Sequence, residues 1–161
     1  MSRETGLYIF ADYHQFYLED EGSNFPTENL WDDEQAFLDM LATGPGSVAV
    51  GTARHYSVPV KVRVIDSEPE KNIDHWDHVT EASLSVPSGR LVVFGPTEYR
   101  PDAPRITVEP SDYRVRVYYA NLESVAANGI DGDDYYEVTL WPGEFAESRV
   151  LKRSDWTARQ L

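Results

Sequence analysis

One short polar segment, Asp-His-Trp-Asp-His at residues 74–78, carries side chains suited to metal binding. Neutral imidazole and carboxylate groups are ordinary ligands of first-row metals, and Glu81 follows closely. His75 and His78 would share a face on a helix, but on a strand their odd separation puts them on opposite faces. The competing interpretation is a polar loop entering a strand, and no established metal motif has this spacing alone. We therefore expect no metal and no other cofactor; His75, Asp77 and His78 are the set that would bind a metal.

The other residue patterns that could do chemistry are weaker still. Residues 131–134 resemble a calcium loop in composition, but the alternating order and the final Glu of an EF-hand are missing, which favours a hairpin loop with solvated acids. The chain has no Cys, no Gly-x-Ser-x-Gly elbow and no Gly-rich phosphate loop. Pairs of carboxylates could hydrolyse glycosides, but their abundance makes any one pair uninformative. We expect a protein that is not an enzyme.

Charge is the strongest signal in the composition. The 161 residues include 28 acidic and 14 basic side chains, which gives a formal net charge of −14 and a pI near 4.5. Such a chain repels nucleic acid and anionic membranes and attracts a basic protein by long-range steering. Residues 1–40 contain one base, Arg3, and ten carboxylates: Glu4, Asp12, Glu19, Asp20, Glu21, Glu28, Asp32, Asp33, Glu34 and Asp39.

Aromatic side chains stand next to the acids at two places in this region. One aromatic run, residues 13–17, precedes the acidic triplet at residues 19–21, and Trp31 precedes a second acidic triplet at residues 32–34. An aromatic anchor ringed by charge is typical of a protein-binding hot spot, although the same aromatics could instead fill the core. The predicted partner-binding residues are Glu19, Asp20, Glu21, Trp31, Asp32, Asp33 and Glu34.

The periodic segments have mostly period two, which predicts strands. In residues 113–119, for example, Arg114 and Arg116 point to the solvent side, and the valines between them point inward. The predicted fold is all-β with one short helix, an antiparallel β-sandwich of about eight or nine strands that forms a single domain over residues 1–161. The strand candidates are residues 6–18, 47–53, 58–65, 78–86, 90–95, 105–109, 113–119, 135–141 and 148–152.

Two features of the first fifty residues give sharper structural predictions. The first strand changes phase between Tyr13 and Phe16, which predicts a β-bulge near His14. Residues 32–43 have helical spacing, with Asp32 as the predicted cap and Gly44-Pro45-Gly46 as the stop.

Several short motifs resemble the competence nuclease-inhibitor (ComJ-like) family. They are Tyr-His-Gln-Phe at 13–16, Trp-x-Asp-Glu at 31–34, Gly-Ser-Val-x-Val at 46–50 and Ser-Asp-Tyr-Arg-Val at 111–115. The resemblance covers the first 65 residues best and is thin over 66–105. It implies a small acidic protein that binds and silences a partner nuclease. This chain differs from the family in its longer C-terminal half.

The function expected from the sequence is therefore that of an acidic protein-binding module. Its partner would be a basic protein, in particular a nuclease, and the module would act as an inhibitor or immunity-type protein in the cytoplasm. The alternative is a β-sandwich that binds a small ligand or a carbohydrate and could hydrolyse it. A concave aromatic pocket with convergent polar groups would favour the alternative, and a convex acidic ridge would favour the inhibitor.

Overall fold

Two β-sheets form the framework of the computed structural model, which describes residues 2–24, 26–27 and 30–160. Glu28, one of the ten early carboxylates, lies outside the described residues. The strands are β1 (Arg3–Phe10), β2 (Gln15–Asp20), β3 (Leu41–Gly44), β4 (Ser47–Gly51), β5 (Ser57–Val64), β6 (His78–Val86), β7 (Arg90–Phe94), β8 (Arg105–Thr107), β9 (Ser111–Ala120), β10 (Tyr135–Pro142) and β11 (Arg149–Lys152).

The topology confirms the predicted sandwich-like fold. The first sheet has six strands in the order β1-β5-β10-β9-β6-β11, and the second has five in the order β3-β4-β2-β7-β8. The described strand pairs are antiparallel except β5 with β10, which run parallel. The strand count exceeds the prediction because the first predicted strand is divided in two and β3 begins within the last residues of the predicted helix.

The predicted β-bulge near His14 is wrong, although the phase change behind it is real. The chain makes a 3-10 turn over Asp12–His14 and passes from β1 in the first sheet to β2 in the second. Ile9 before the turn and Phe16 after it both point into the space between the sheets. A change of sheet therefore brings both sets of apolar side chains to the core, which a bulge within one strand would also have done.

The predicted helix is shorter than the sequence indicated. The helix α1 spans Glu34–Asp39, and Asp33 caps it instead of Asp32: its Oδ1 accepts a hydrogen bond of 3.0 Å from the backbone N–H of Gln35. Met40 adopts a left-handed conformation and ends the helix, so the following residues form β3. None of the helices in the described residues is long and apolar enough to cross a membrane.

A row of polar side chains crosses the outer face of the first sheet. The strand register places these residues side by side, in the order Glu4, Arg63, Thr139, Arg116, Glu81 and Arg149. The prediction that Arg114 and Arg116 face solvent is wrong, since both are buried. Backbone carbonyl groups of residues 69–70 and 146–147 accept hydrogen bonds from these two guanidinium groups, so connecting segments cover this part of the face.

Glu81 is a buried member of this row and pairs with three arginines. Its Oε2 lies 2.9 Å from Arg116 Nε, and its Oε1 lies 3.2 Å from both Arg114 Nη2 and Arg149 Nη2. Burial opposes ionisation of Glu81, but the hydrogen bonds and charges of the three arginines outweigh it and lower the pKa of this carboxyl group. Glu81 is therefore an anion that three cations hold in place.

Thr139 gives a stability prediction from the same row. Its side chain is fully buried, and no partner among the described residues hydrogen-bonds to its Oγ1. We expect Thr139→Val to raise the free energy of unfolding by about 1 kcal/mol, because a buried hydroxyl without a partner is costly. Thr80→Val is the matched control. Thr80 is equally buried, but its Oγ1 lies 3.3 Å from the Tyr119 hydroxyl, so this change should destabilise. Urea unfolding of both variants checks the pair; destabilisation by Thr139→Val would contradict the prediction.

Candidate functional site

The crossing turn between β1 and β2 forms one wall of a cleft at the end of the sandwich. Tyr13 and His14 have φ values of 56° and 61°, in the left-handed region that side chains with a Cβ rarely adopt. Hydrogen bonds hold the turn: His14 N–H donates to Ala11 O at 3.1 Å, and Thr52 N–H donates to His14 O at 2.9 Å. Backbone strain of this kind is common at functional sites, and here it presents the Tyr13 ring, 70% exposed, at the cleft mouth.

The cleft has a volume of about 660 Å³, within the range of ordinary ligand sites. It lies where the crossing turn, α1, the loop between β9 and β10, and the C-terminal segment meet. Four aromatic side chains line it: Tyr13, Trp31, Phe37 and Trp156. The sequence prediction recognised Tyr13 and Trp31 as aromatic anchors, but it gave no reason to bring Phe37 and Trp156 to them.

Two histidines meet in the cleft wall, with ring centroids 4.9 Å apart. His14 Nδ1 lies 3.2 Å from Thr52 O, and His55 Nε2 lies 3.1 Å from Asn128 O. A carbonyl oxygen can only accept, so each of these nitrogens carries a proton and donates it. Burial lowers the pKa of His14, and the nearby His55 lowers it further. His14 is therefore neutral at pH 7, and its Nε2 is an acceptor.

Gly129 allows the β9–β10 loop to close on His55. Its φ is +71°, and a Cβ at this position would lie 2.6 Å from His55 Cδ2. A side chain here would thus be strained and would also collide with the imidazole. The sequence marked Asn128-Gly129 as a turn, and the structure shows that the turn shapes the cleft.

Residues 131–134 were predicted to form a hairpin loop with solvated acidic side chains. Asp134 contradicts this prediction, because it is buried and its carboxylate lies 2.6 Å from Arg54 Nε.

Trp31 both packs and faces the cleft. Its Nε1 donates to Gln15 Oε1 at 2.6 Å, and its ring contacts a small apolar cluster that includes Tyr17 and Phe94 on the outer face of the second sheet. The two interpretations of this side chain, anchor and core filler, are therefore compatible. Its indole is half-buried, and it leads directly into the acidic residues that precede α1.

The acidic segment, which we define as Asp32, Asp33 and Glu34, is exposed to solvent. Asp33 is engaged as the helix cap, whereas Asp32 and Glu34 make no ion pair within the described residues. Two carboxylates next to the cleft are consequently available to a partner.

The other predicted triplet, Glu19-Asp20-Glu21, lies at the opposite end of β2 from the cleft residue Gln15, about 15 Å along the strand. Glu19 and Asp20 are buried, 4% and 5% exposed. Glu19 lies 3.1 Å from Arg100 Nε, and the Asp20 carboxylate accepts hydrogen bonds from Ser88. The structure does not bring this triplet together with the acidic segment.

The pKa values in this triplet move in opposite directions. Burial raises the pKa of Glu19, although Ser47 and Arg100 oppose the shift. Hydrogen bonds from Arg90 and Arg105 lower the pKa of Glu21. These carboxylates therefore hold arginines of the chain itself.

The metal candidates are separated by the fold. His75 is exposed against Trp76, whereas Asp77 accepts a hydrogen bond of 2.9 Å from the Leu122 N–H. His78 is fully buried, and both of its ring nitrogens have partners. No group of three metal-ligating side chains occurs among the described residues. That no metal binds remains a prediction, which elemental analysis of the purified protein would test.

His78 instead links the end of α1 to the C-terminal segment that carries Trp156. Its Nε2 lies 2.7 Å from Asp39 O, and its Nδ1 accepts from the Ser154 N–H at 2.9 Å. Arg153 adds a second link, with Nη1 3.1 Å from Leu38 O. A residue that the sequence suggested as a metal ligand thus positions one wall of the cleft.

This arrangement predicts how stability depends on pH. Burial lowers the pKa of His78 below 6.5, so the unfolded chain takes up this proton at a higher pH than the folded chain does. The contribution of neutral His78 to the free energy of unfolding is fully present above pH 6.5. It should be lost as the pH falls through the pKa of His78 in the folded protein. NMR titration should give a His78 midpoint below 6.5, and a midpoint at or above 6.5 would contradict the prediction. The pKa of His14 is also lowered, so His14 contributes to the pH dependence of stability with the same sign. Comparison of the unmodified protein with a His78→Asn variant isolates the contribution of His78.

Comparison with known proteins gives likeness of structure alone. No family model matches the chain, and no curated protein matches its sequence. The crystal structure of ComJ from Bacillus subtilis, an inhibitor of the DNA-degrading activity of NucA, matches with a TM-score of 0.69 at 14% identity and covers 89% of this chain and 99% of ComJ. The product of crocagin biosynthetic gene J matches with a TM-score of 0.59 at 18% identity, over 89% and 99% of the two chains. At these identities the likeness establishes a shared fold, and it extends well beyond residue 65.

Proposed function

We propose that this chain is a non-enzymatic, acidic protein-binding module that inhibits a basic enzyme, in particular a nuclease, in the cytoplasm. The observation that carries the proposal is the exposed acidic segment, which leads out of the aromatic Trp31 wall of the cleft. Its fold is shared with ComJ, a nuclease inhibitor, which supports this class of function. The formal net charge of −14 supports a basic partner.

The physical basis of the proposed inhibition is substitution. A nuclease holds the phosphates of its substrate with lysines and arginines. Carboxylates presented on a rigid surface can occupy the same positions and exclude the nucleic acid. Asp32 and Glu34 meet this requirement, because α1 and its Asp33 cap fix their backbone. Glu19 and Asp20 are buried and paired internally, so we place the partner surface at Trp31 and the acidic segment.

Affinity capture followed by an activity assay tests the proposal. The protein, immobilised, should retain a basic protein from a lysate of its source cells at low salt and release it as salt rises, because salt screens exposed charges. The released protein should degrade DNA, and the free module should suppress that activity up to a 1:1 ratio. An unrelated protein of similar size and charge is the control. If the captured protein has no such activity, or keeps it in the presence of the module, the proposal is wrong.

The second candidate function is binding of a small ligand or a carbohydrate. The observation that favours it is the cleft itself, which is concave and combines four aromatic rings with two histidines. A panel of neutral sugars, followed by tryptophan fluorescence, distinguishes the candidates. Saturable binding of a sugar together with failure to capture a basic protein would favour this function over the first.

A further inference from the structure

Most of the hydrogen-bond donors on the side chains of the cleft are engaged within the protein. The N–H of His14 donates to Thr52 O and that of His55 to Asn128 O. Four other lining side chains each direct one N–H to an acceptor of the chain: Gln15 to Tyr13 O, Trp31 to Gln15, Asn128 to Asp131 and Gln160 to Trp156 O. Among the described residues, the lining side-chain donors without a hydrogen-bond partner are therefore the Tyr13 hydroxyl, the Trp156 indole and the second N–H of each of the three side-chain amides.

The cleft also presents hydrogen-bond acceptors and the faces of aromatic rings. The neutral His14 ring has a lone pair on Nε2, because its Nδ1 carries the proton. Tyr13, Trp31, Phe37 and Trp156 supply ring faces, whose quadrupoles attract cations. The described residues that line the cleft include no lysine or arginine, so the lining offers an anionic ligand no such positive charge.

The charges around the cleft also favour a cationic ligand. Asp12 precedes Tyr13, and the acidic segment follows Trp31. Glu123 also lines the cleft, where Arg159 pairs with it. Arg159 also pairs with Asp155, so its single positive charge serves two carboxylates. The surroundings are therefore net negative, and they favour a ligand with positive charge.

We infer that the cleft receives an arginine side chain of the basic partner, an inference that rests on the proposed function. A guanidinium group is planar, stacks on aromatic rings and carries five N–H donors, so it matches a site of ring faces and free acceptors. Lysine matches it less well because its ammonium is compact and strongly hydrated. The arginine inserts beside Trp31, and its neighbours on the partner meet the acidic segment.

Peptide titration by NMR tests this inference without the partner. The probes are acetyl-Gly-Arg-Gly-amide and the same peptide with citrulline, which has nearly the shape of arginine but no charge. We expect the arginine peptide to shift the indole N–H resonances of Trp31 and Trp156 saturably, at least about tenfold more tightly than the citrulline peptide. Phe37→Ala should weaken this binding, whereas Phe145→Ala, at an exposed ring outside the cleft, should not.

Two results would overturn the inference: equal binding of the two peptides, or no saturable shift at Trp31 and Trp156. These results can be distinguished from a failure of the proposed function. If the protein captures a basic nuclease and inhibits it while the cleft resonances stay unmoved by the arginine peptide, the proposed function holds and the role of the cleft is wrong. If no basic protein is captured, the proposed function fails, whatever the peptides do.

Discussion

Replacing Glu81 with alanine should lower the free energy of unfolding by about 3–5 kcal/mol, a value typical of removing one partner from a buried ion pair. Glu81 is 2% exposed and holds Arg114, Arg116 and Arg149. Without it, the one ion pair that the fully buried Arg116 keeps among the described residues is a 3.6 Å contact with Glu68. A buried guanidinium without a close carboxylate is the cause of the expected loss.

Glu4→Ala is the matched control for Glu81→Ala. Glu4 lies in the same row across the sheet, but its side chain is 54% exposed and 3.5 Å from Arg63 Nε. Its removal should change stability by no more than about 0.5 kcal/mol. Urea unfolding measures both variants. If Glu81→Ala does not fold, Glu81→Gln should fold with a smaller but measurable loss, because the amide oxygen can still accept a hydrogen bond. A loss below about 1 kcal/mol for both Glu81 variants would contradict the account of the row.

Replacing Trp31 with alanine should raise the rate of dissociation from the partner about thirtyfold, which corresponds to about 2 kcal/mol. An aromatic anchor contributes mainly after the complex has formed, so the effect should fall on dissociation rather than on association. The change should also lower the melting temperature, because the Trp31 ring packs against the apolar cluster around Phe94.

A melting curve alone therefore does not distinguish contact with the partner from packing. Phe94→Leu provides the distinction, since Phe94 belongs to the same cluster but does not line the cleft. It should destabilise the protein and leave the dissociation rate unchanged. If Phe94→Leu accelerates dissociation as much as Trp31→Ala does, the effect of Trp31 is one of stability and the anchor role is wrong.

The fold class was predictable because alternation with period two recurs in segment after segment. The sandwich needs only that each strand have one apolar face, and residues 58–65 and 135–141 show this directly. The outer face was harder to predict. Alternation says that Arg114 and Arg116 point away from the core, but it does not say that other segments cover that side.

The limits of the prediction were set by tertiary contacts. The phase change near His14 can arise from a bulge or from a change of sheet, and local sequence does not separate the two. Residues 40–43 continue a helical spacing, yet Leu41 and Ala42 pair with β4 instead, because strand pairing there completes the second sheet. The cleft could not be predicted, since His55 and Trp156 reach His14 only through the fold.

The acidic segment is the basis of the proposed function, and association kinetics with the captured partner test it most directly. The variant Asp32→Lys/Glu34→Lys reverses two exposed charges and leaves Asp33, the cap of α1, unchanged. The variant Glu144→Lys/Glu147→Lys changes the net charge equally at two exposed positions outside the cleft. At low salt, we expect the first variant to associate about tenfold more slowly than the second, with little change in dissociation. Equal association rates for the two variants would contradict the account, because acidity would then act only through total charge.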